Sequence, residues 1–200
     1  MKQEQGRLFV VSGPSGVGKT TVVTEFLKQY GHLYQIGRVV TYTTKTPRST
    51  EVDGIDYHFI SQAEFERKVK DGFFLEWSGE YGACYGTPAH IIKDIEKGFS
   101  YILVIDRVGT AQIIEKYPAT ILIWIQVLSM DLLSERLKSR KTDSFEQIQT
   151  RLFLAKKEIE QELHFPMYHY HVSNNVLKDA VAAVFGVITP RVLMTEKDEK

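Results

Sequence analysis

Eight consecutive residues, Gly13-Pro14-Ser15-Gly16-Val17-Gly18-Lys19-Thr20, have the types and spacing that hold phosphate groups: G-x-x-x-x-G-K-[ST]. The glycines let the backbone turn tightly, so that several N–H groups point into one concavity. A helix opening at Lys19 adds the positive end of its dipole to that concavity. The pattern assigns the Lys19 ammonium to the β- and γ-phosphates of a nucleoside triphosphate and the Thr20 hydroxyl to Mg²⁺. Thr21 follows in the same first turn. The chemistry this segment can do is to grip a triphosphate and position one phosphoryl group for transfer.

Such a loop works only between a buried strand and a helix, and its flanks read that way. Residues 8–11 (Leu-Phe-Val-Val) form a short apolar run, and the pattern predicts a helix over 19–30. Further apolar runs at 101–106 and 121–127 read as strands covered on both faces. A last strand near 168–173 precedes an Ala- and Val-rich helix over 178–188. Strands alternating with helices predict an α/β fold, a P-loop NTPase-like parallel sheet flanked by helices. Between the first helix and Pro88 the character changes. Residues 39–44, 57–60 and 73–81 are aromatic and β-prone, separated by turn residues such as Asp53-Gly54, which predicts a small, mostly antiparallel β insert. Residues 129–163 are helical and charged. Within them Ile148, Leu152, Ala155, Ile159 and Leu163 make one apolar stripe at helical spacing, with caps expected at 142–144.

Bulk properties bound the function. The 200 residues suit one domain, and 43% hydrophobic content is that of a globular chain. Lys plus Arg equals Asp plus Glu at 25 each, which argues against a nucleic-acid partner. No apolar run is long enough to span a bilayer, and the start lacks the apolar stretch of a secretory signal. The single cysteine, Cys84, excludes an internal disulfide framework. The expectation is a soluble, cytoplasmic protein with no membrane partner; the sequence does not set its oligomeric state.

A second cluster bears on what accepts the phosphoryl group. Thr43-Thr44-Lys45-Thr46-Pro47-Arg48 sets two cations three residues apart in a segment stiffened by Pro47. Asp56-Tyr57, Glu76 and Tyr85-Gly86-Thr87-Pro88 follow. Two cations and two tyrosine hydroxyls can clamp a monophosphate dianion, and a buried carboxylate with hydroxyls beside it can read the N–H edge of a purine. Spacing alone is equally compatible with a solvated charged turn at Lys45 and Arg48 and with ordinary strand tyrosines.

In order along the chain, these segments resemble the guanylate kinase family from Gly6 to Ile188. The matching motifs are the phosphate loop, Thr43 to Arg48, Gly54 to Phe59, Phe74 to Trp77, Tyr85 to Pro88 and Ile105 to Gly109. The resemblance implies transfer of the γ-phosphoryl of ATP, with Mg²⁺, to GMP. It implies that Lys45, Arg48, Tyr57 and Tyr85 hold the GMP phosphate, and that Thr41, Glu76, Thr87 and Asp106 read guanine. It also implies a helical lid whose Arg136, Arg140 and Arg151 act with Lys19 on the ATP phosphates, and an adenine-side role for Asn174. The corresponding division is a discontinuous core (about 1–38, 89–128 and 164–190), a GMP-binding insert (39–88), a lid region (129–163) and a charged tail (191–200). Other readings of the same likeness are a protein-interaction module and a kinase of another phosphorylated small molecule. The intact loop argues against the module, since such domains typically lose it.

Five positions depart from the family pattern. Val104 stands where the first aspartate of D-I-D-x-x-G is usual, an acidic group that helps hold the water shell of magnesium. Lys45 replaces an arginine and cannot form a bidentate fork to phosphate. Thr50 replaces a glycine, and Leu128-Ser129 replace paired prolines. These changes predict a slower or divergent kinase. Of His164, His169 and His171, the last two would share one face of a strand, but no third ligand has a clear spacing, so the group is assigned to aromatic strand packing, and Cys84 to an ordinary thiol.

Overall fold

The structure, a computed structural model, describes residues 5–79, 82–139 and 144–193. Its elements in chain order begin with β1 (Leu8–Ser12), α1 (Lys19–Tyr30), β2 (Ile36–Arg38), β3 (Tyr42–Thr43), β4 (His58–Phe59) and α2 (Gln62–Lys70). Next come β5 (Phe74–Ser78), β6 (Tyr85–Pro88), α3 (Ile91–Glu96), β7 (Ser100–Val104) and α4 (Arg107–Lys116). The last are β8 (Ile121–Gln126), α5 (Met130–Ser139), α6 (Phe145–His164), β9 (Tyr170–Ser173) and α7 (Leu177–Leu193).

Five strands form a wholly parallel sheet in the order β2-β7-β1-β8-β9. Every residue of β1 is buried, because alternate side chains enter two separate layers of core. Phe9 and Val11 pack under α1 and α7 with Val22, Phe26, Val181 and Val184. Leu8 and Val10 face the other way, towards Ile91, Ile95, Ile113 and Trp124. From β1 the chain runs to β2 on one side, whereas from the adjacent β7 it crosses to β8 on the other, so the loop after β1 sits at a topological switch point, where such folds open a crevice for ligands.

The second sheet has the order β4-β3-β6-β5, and its strands all lie between Tyr42 and Pro88. Two of its pairings are antiparallel, while β3 and β4 run parallel. Helix α2 crosses it, stacking Phe65 on Phe74 with ring centres 4.8 Å apart. The guanidinium of Arg38, on the core strand β2, donates to the carbonyls of Ile55 and Asp56 at 2.6 and 2.8 Å and so fixes the insert's loop to the core.

Several elements are absent from the sequence expectation. β2 is three residues long and contains Gly37, too little for a period to register. Helix α2 buries only Phe65, yet it carries a capping signal: the Ser61 hydroxyl accepts the N–H of Glu64, as an S-x-x-E start allows. α3 has only six residues, and α4 carries Gly109, a poor helix former, in its first turn.

Helix α6 starts with a complete capping box between Ser144 and Gln147; residues 142 and 143, also expected as caps, lie outside the described residues. Its stripe holds through Ile148, Leu152 and Ala155, and Ile159 joins the core, but Leu163 is exposed. The last turn instead buries Glu162. The Glu162 carboxylate accepts from Arg107, from the backbone N–H groups of Met167 and Tyr168, and pairs with His171 Nε2 at 3.1 Å. A charge with that many donors can be buried, and the helix turns to suit it. Among the described residues no helix is long and apolar enough to cross a membrane.

Candidate active site

The phosphate loop leaves β1 through Gly13, whose φ of 142° and closeness to the Ile125 carbonyl leave no room for a side chain: a Cβ there would lie 2.1 Å from that oxygen. Gly18, with φ 94°, caps α1 in the left-handed region. It has no side chain to satisfy the first-turn N–H groups, so the positive helix end stays open to an anion. The loop is braced from behind. The Val17 carbonyl accepts Nδ2 of the buried Asn174 at 2.8 Å and the Arg136 guanidinium at 3.3 Å. Lys19 folds over the loop, donating to the carbonyls of Gly13 and Pro14 at 2.6 and 3.1 Å.

From this loop a cleft of about 570 Å³ runs to the second sheet. Its walls include Ser15, Lys19 and Thr20 on one side and Thr41, Lys45, Arg48, Tyr57, Glu76, Tyr85 and Asp106 on the other. Thr87 lies beneath it, fully buried, with its hydroxyl donating to Glu76 Oε1 at 2.5 Å. The acceptor-side residues that spacing could not bring together are therefore neighbours.

Two chemically distinct ends are visible across the insert. At one end Lys45 and Arg48 supply positive charge, with the Tyr57 and Tyr85 hydroxyls beside them. Burial pushes both tyrosines up from their ordinary pKa, so they remain neutral donors. At the other end sits Glu76, 1% exposed, on β5. Burial raises its carboxyl to about 7, against the opposing hydrogen bond from Thr87, while Asp106 nearby raises it further and Lys116 lowers it. Asp106 is the N-cap of α4: Oδ1 accepts the Gly109 N–H at 2.7 Å and Oδ2 accepts the Ser78 hydroxyl at 2.6 Å. Glycine is required at 109 for contact, since a Cβ there would stand 2.6 Å from Glu76 Oε2.

The expected lid residues divide. Arg151, on α6, lines the main cleft. Arg136, on α5, does not: it lines a smaller recess of about 240 Å³ behind the loop, with Gly16, Gly18, Thr21 and Asn174, and donates to the carbonyls of Val17 and Asn175. Arg140 lies outside the described residues. Asn174 is engaged in bracing Val17.

Four contributors went unread in the sequence. Ser78 is the partner of Asp106, and Lys116 donates to the Leu75 carbonyl at 2.5 Å, close enough to lower Glu76. Arg38 anchors the insert, and Glu51 pairs with Lys45 at 2.5 Å. Ser78 and Lys116 are ordinary residues at no recognisable spacing; Glu51, three residues after Arg48, was readable as a charge partner. His169 Nδ1 accepts the Leu122 N–H at 3.1 Å and His171 pairs with Glu162, so both serve hydrogen bonding where packing was expected. Among the described residues no cluster of His, Cys, Asp and Glu could hold a metal ion by itself.

Comparison with known proteins gives one consistent result. The family model described as Guanylate kinase matches residues 5–190. A guanylate kinase from Clostridium tetani is 40% identical over 187 residues, which are 93% of this chain and 86% of that protein. One from Rubrobacter xylanophilus is 41% identical over 156 residues, covering 78% and 80%. Among solved structures, the crystal structure of guanylate kinase from Anaplasma phagocytophilum superposes with a TM-score of 0.78 at 27% identity, over 98% of this chain and 90% of that one.

Proposed function

The chain belongs to the guanylate kinase family, and from that membership and the cleft's geometry we infer how its residues divide the work. It is an ATP-dependent kinase that converts GMP to GDP. The observation carrying the residue assignment is the single cleft that joins the phosphate loop to Lys45, Arg48, Tyr57, Tyr85, Glu76 and Asp106.

In this scheme the triphosphate of ATP lies along residues 13–21, its charge met by the loop N–H groups, the helix end and Lys19. The GMP phosphate lies against Lys45, Arg48, Tyr57 and Tyr85. Ionised Glu76 accepts the two adjacent N–H groups on the guanine edge, N1–H and the exocyclic amine. Thr87 keeps that carboxylate in place, and Thr41, Ser78 and Asp106 complete the polar surround. An oxygen of the GMP phosphate attacks the γ-phosphorus while the bond to the β-phosphate oxygen breaks, releasing ADP. The acceptor is already anionic, so alignment and charge neutralisation do most of the catalysis. Arg151 faces the cleft and supplies positive charge there, and Arg136 keeps the loop in shape from behind.

Magnesium fits this donor set in a limited way. Thr20 offers one hydroxyl, the Val104 side chain offers no oxygen, and both carboxylate oxygens of Asp106 are already engaged by Ser78 and Gly109. An ion that keeps several waters and takes the rest of its ligands from nucleotide phosphates suits a single protein oxygen. Bound there, it would offset the charge of the transferring group. The likeness supports small-molecule substrates, and a cytoplasmic setting is proposed with them.

The test is a coupled assay with GMP, dGMP, AMP and UMP as acceptors, with Lys19→Ala as the inactive control. AMP does not present the paired N–H edge, and a site with a buried carboxylate rejects it by a factor on the order of 10³ or more in kcat/KM. Comparable rates with AMP and GMP would sink the assignment of Glu76.

A further inference from the structure

Glu51 is the group that both acceptor-side cations share. Its Oε1 and Oε2 accept from Lys45 Nζ at 2.5 and 2.7 Å. Oε2 also accepts the backbone N–H of Arg48 at 2.8 Å, and the Arg48 guanidinium comes within 3.8 Å of Oε1. Lys45 and Arg48 line the cleft, whereas Glu51 is not among the lining residues, so the carboxylate supports the cations from outside it. The Lys45 ammonium also lies 4.9 Å from the centre of the Tyr57 ring.

A lysine needs such support more than an arginine would. Its ammonium is a point charge on a flexible four-carbon stem, with no fork to set its orientation. Held between a carboxylate and an aromatic face, it loses that freedom before any substrate arrives. Lys45 has three N–H donors and Glu51 presents two acceptor oxygens, so at least one donor is left for another anion. The Arg48 N–H bond fixes the backbone carrying the second cation. Burial pushes the Glu51 carboxyl up, but the Arg48 N–H and the Lys45 ammonium outweigh this and hold it below its ordinary pKa, so it stays ionised at neutral pH.

We propose that Glu51 is a positioning residue for the acceptor phosphate: it fixes Lys45 and the Arg48 backbone so that both cations face the phosphate of GMP. The proposal rests on the reading of Lys45 and Arg48 as the clamp for that phosphate. It assigns Glu51 a role through Lys45, with no contact of its own to substrate. The opposite role is electrostatic competition, in which the Glu51 carboxylate repels the incoming dianion and its removal tightens binding.

Glu51→Gln separates these. The amide oxygen can still accept the Arg48 N–H, while the charge that holds Lys45 is gone. KM for GMP and for ATP, and kcat, are measured for the wild type, Glu51→Gln, Lys45→Met and the double variant. Glu51→Gln is expected to raise KM for GMP roughly tenfold, the scale of one charge-assisted hydrogen bond, with KM for ATP and kcat changed less than about twofold. Lys45→Met is expected to raise the same KM, and the double variant to be no worse than Lys45→Met alone, because Glu51 then has nothing left to position. An unchanged or lower KM for GMP in Glu51→Gln overturns the proposal, as does a double variant whose effect is the product of the two single ones. If Lys45→Met itself leaves KM for GMP unchanged, the clamp reading beneath the proposal fails instead.

Discussion

If Glu76 reads guanine as proposed, the affinity for GMP depends on pH in a way that can be worked out beforehand. The carboxyl has an ordinary value of 4.5 and is raised to about 7, first by burial and then by Asp106, with Thr87 and Lys116 opposing. Guanine presents donors to it, so only the ionised form binds well. With a value near 7, about nine tenths of the carboxyl is ionised at pH 8 and about one tenth at pH 6, so the Kd of GMP should rise about tenfold over that interval. The phosphate of GMP also takes up a proton near pH 6, which adds about a factor of two. Glu76→Gln removes the first effect and keeps the second. Titration calorimetry at pH 6, 7 and 8 with both proteins isolates the carboxyl as the ratio of their Kd values. The variant should bind about ten- to a hundredfold more weakly at pH 8, from lost hydrogen bonds to a charged group. Its disadvantage should shrink about tenfold by pH 6. A ratio that stays constant from pH 6 to 8 refutes the reasoning.

The same shift makes a statement about stability. The folded value lies above the unfolded one, so the folded state holds the proton more tightly. This stabilising contribution is fully present below about pH 4.5 and is lost as pH rises through about 7. At about 1.4 kcal/mol per pH unit the interval amounts to about 3 kcal/mol, all of it a cost of keeping Glu76 buried and charged. Glu76→Gln should therefore gain stability relative to the wild type as pH rises from 5 to 8, measured by urea unfolding.

Four further outcomes follow from neighbouring contacts. Thr87→Val removes the 2.5 Å hydrogen bond to Glu76 and should raise the Kd of GMP about tenfold while moving the midpoint of its pH dependence upwards. Gly109→Ala puts a Cβ 2.6 Å from Glu76 Oε2; it should cost about 1–3 kcal/mol in urea unfolding and weaken GMP binding without changing the Kd of ATP. Asn174→Ala frees the Val17 carbonyl from a 2.8 Å bond and should raise KM for ATP several-fold with KM for GMP unchanged. Val104→Asp restores a carboxylate at the end of β7 and should raise kcat and lower the Mg²⁺ concentration needed for half-maximal rate; activity as low as that of Lys19→Ala in both wild type and Val104→Asp would refute the kinase reading.

What could be read in the sequence depended on whether a signal was local. The loop at residues 13–20 is contiguous, and strands such as 121–126 are buried on both faces, so each declares itself within a few residues. The convergence of Lys45, Tyr57, Glu76 and Asp106 was not local. Order and motif implied it by resemblance, but the physical reason is the pairing of β3, β5 and β6 and the docking of α4 against β5. Leu163 shows how a period misleads at a helix end. Apolar spacing favoured it, but Glu162, with Arg107 and two backbone N–H groups waiting for it, takes the inward position. Arg136 has the right type and place for the lid, yet the Val17 and Asn175 carbonyls hold it behind the loop.

The two main departures from the family pattern have different consequences for catalysis. On the proposed role of Glu51, lysine at position 45 takes from Glu51 and Tyr57 the orientation that a guanidinium fork would bring by itself. Valine at position 104 has no comparable substitute among the described residues. The nearest carboxylate in sequence, Asp106, has one oxygen capping α4 and the other receiving the Ser78 hydroxyl, and moving it towards a metal would break both bonds and disturb Glu76 beside it. On the proposed division of the cleft, charge on the donor side therefore falls mainly to Lys19 and the loop N–H groups, since Arg151 lines the cleft within electrostatic reach of Tyr85. Since an acceptor contact acts on binding and a donor-side charge acts on the transition state, Lys45→Arg should change KM for GMP with little effect on kcat, whereas Val104→Asp should change kcat with little effect on KM for GMP. Reversal of that pattern in steady-state kinetics would show that the acceptor and donor halves of the cleft have been assigned the wrong way round.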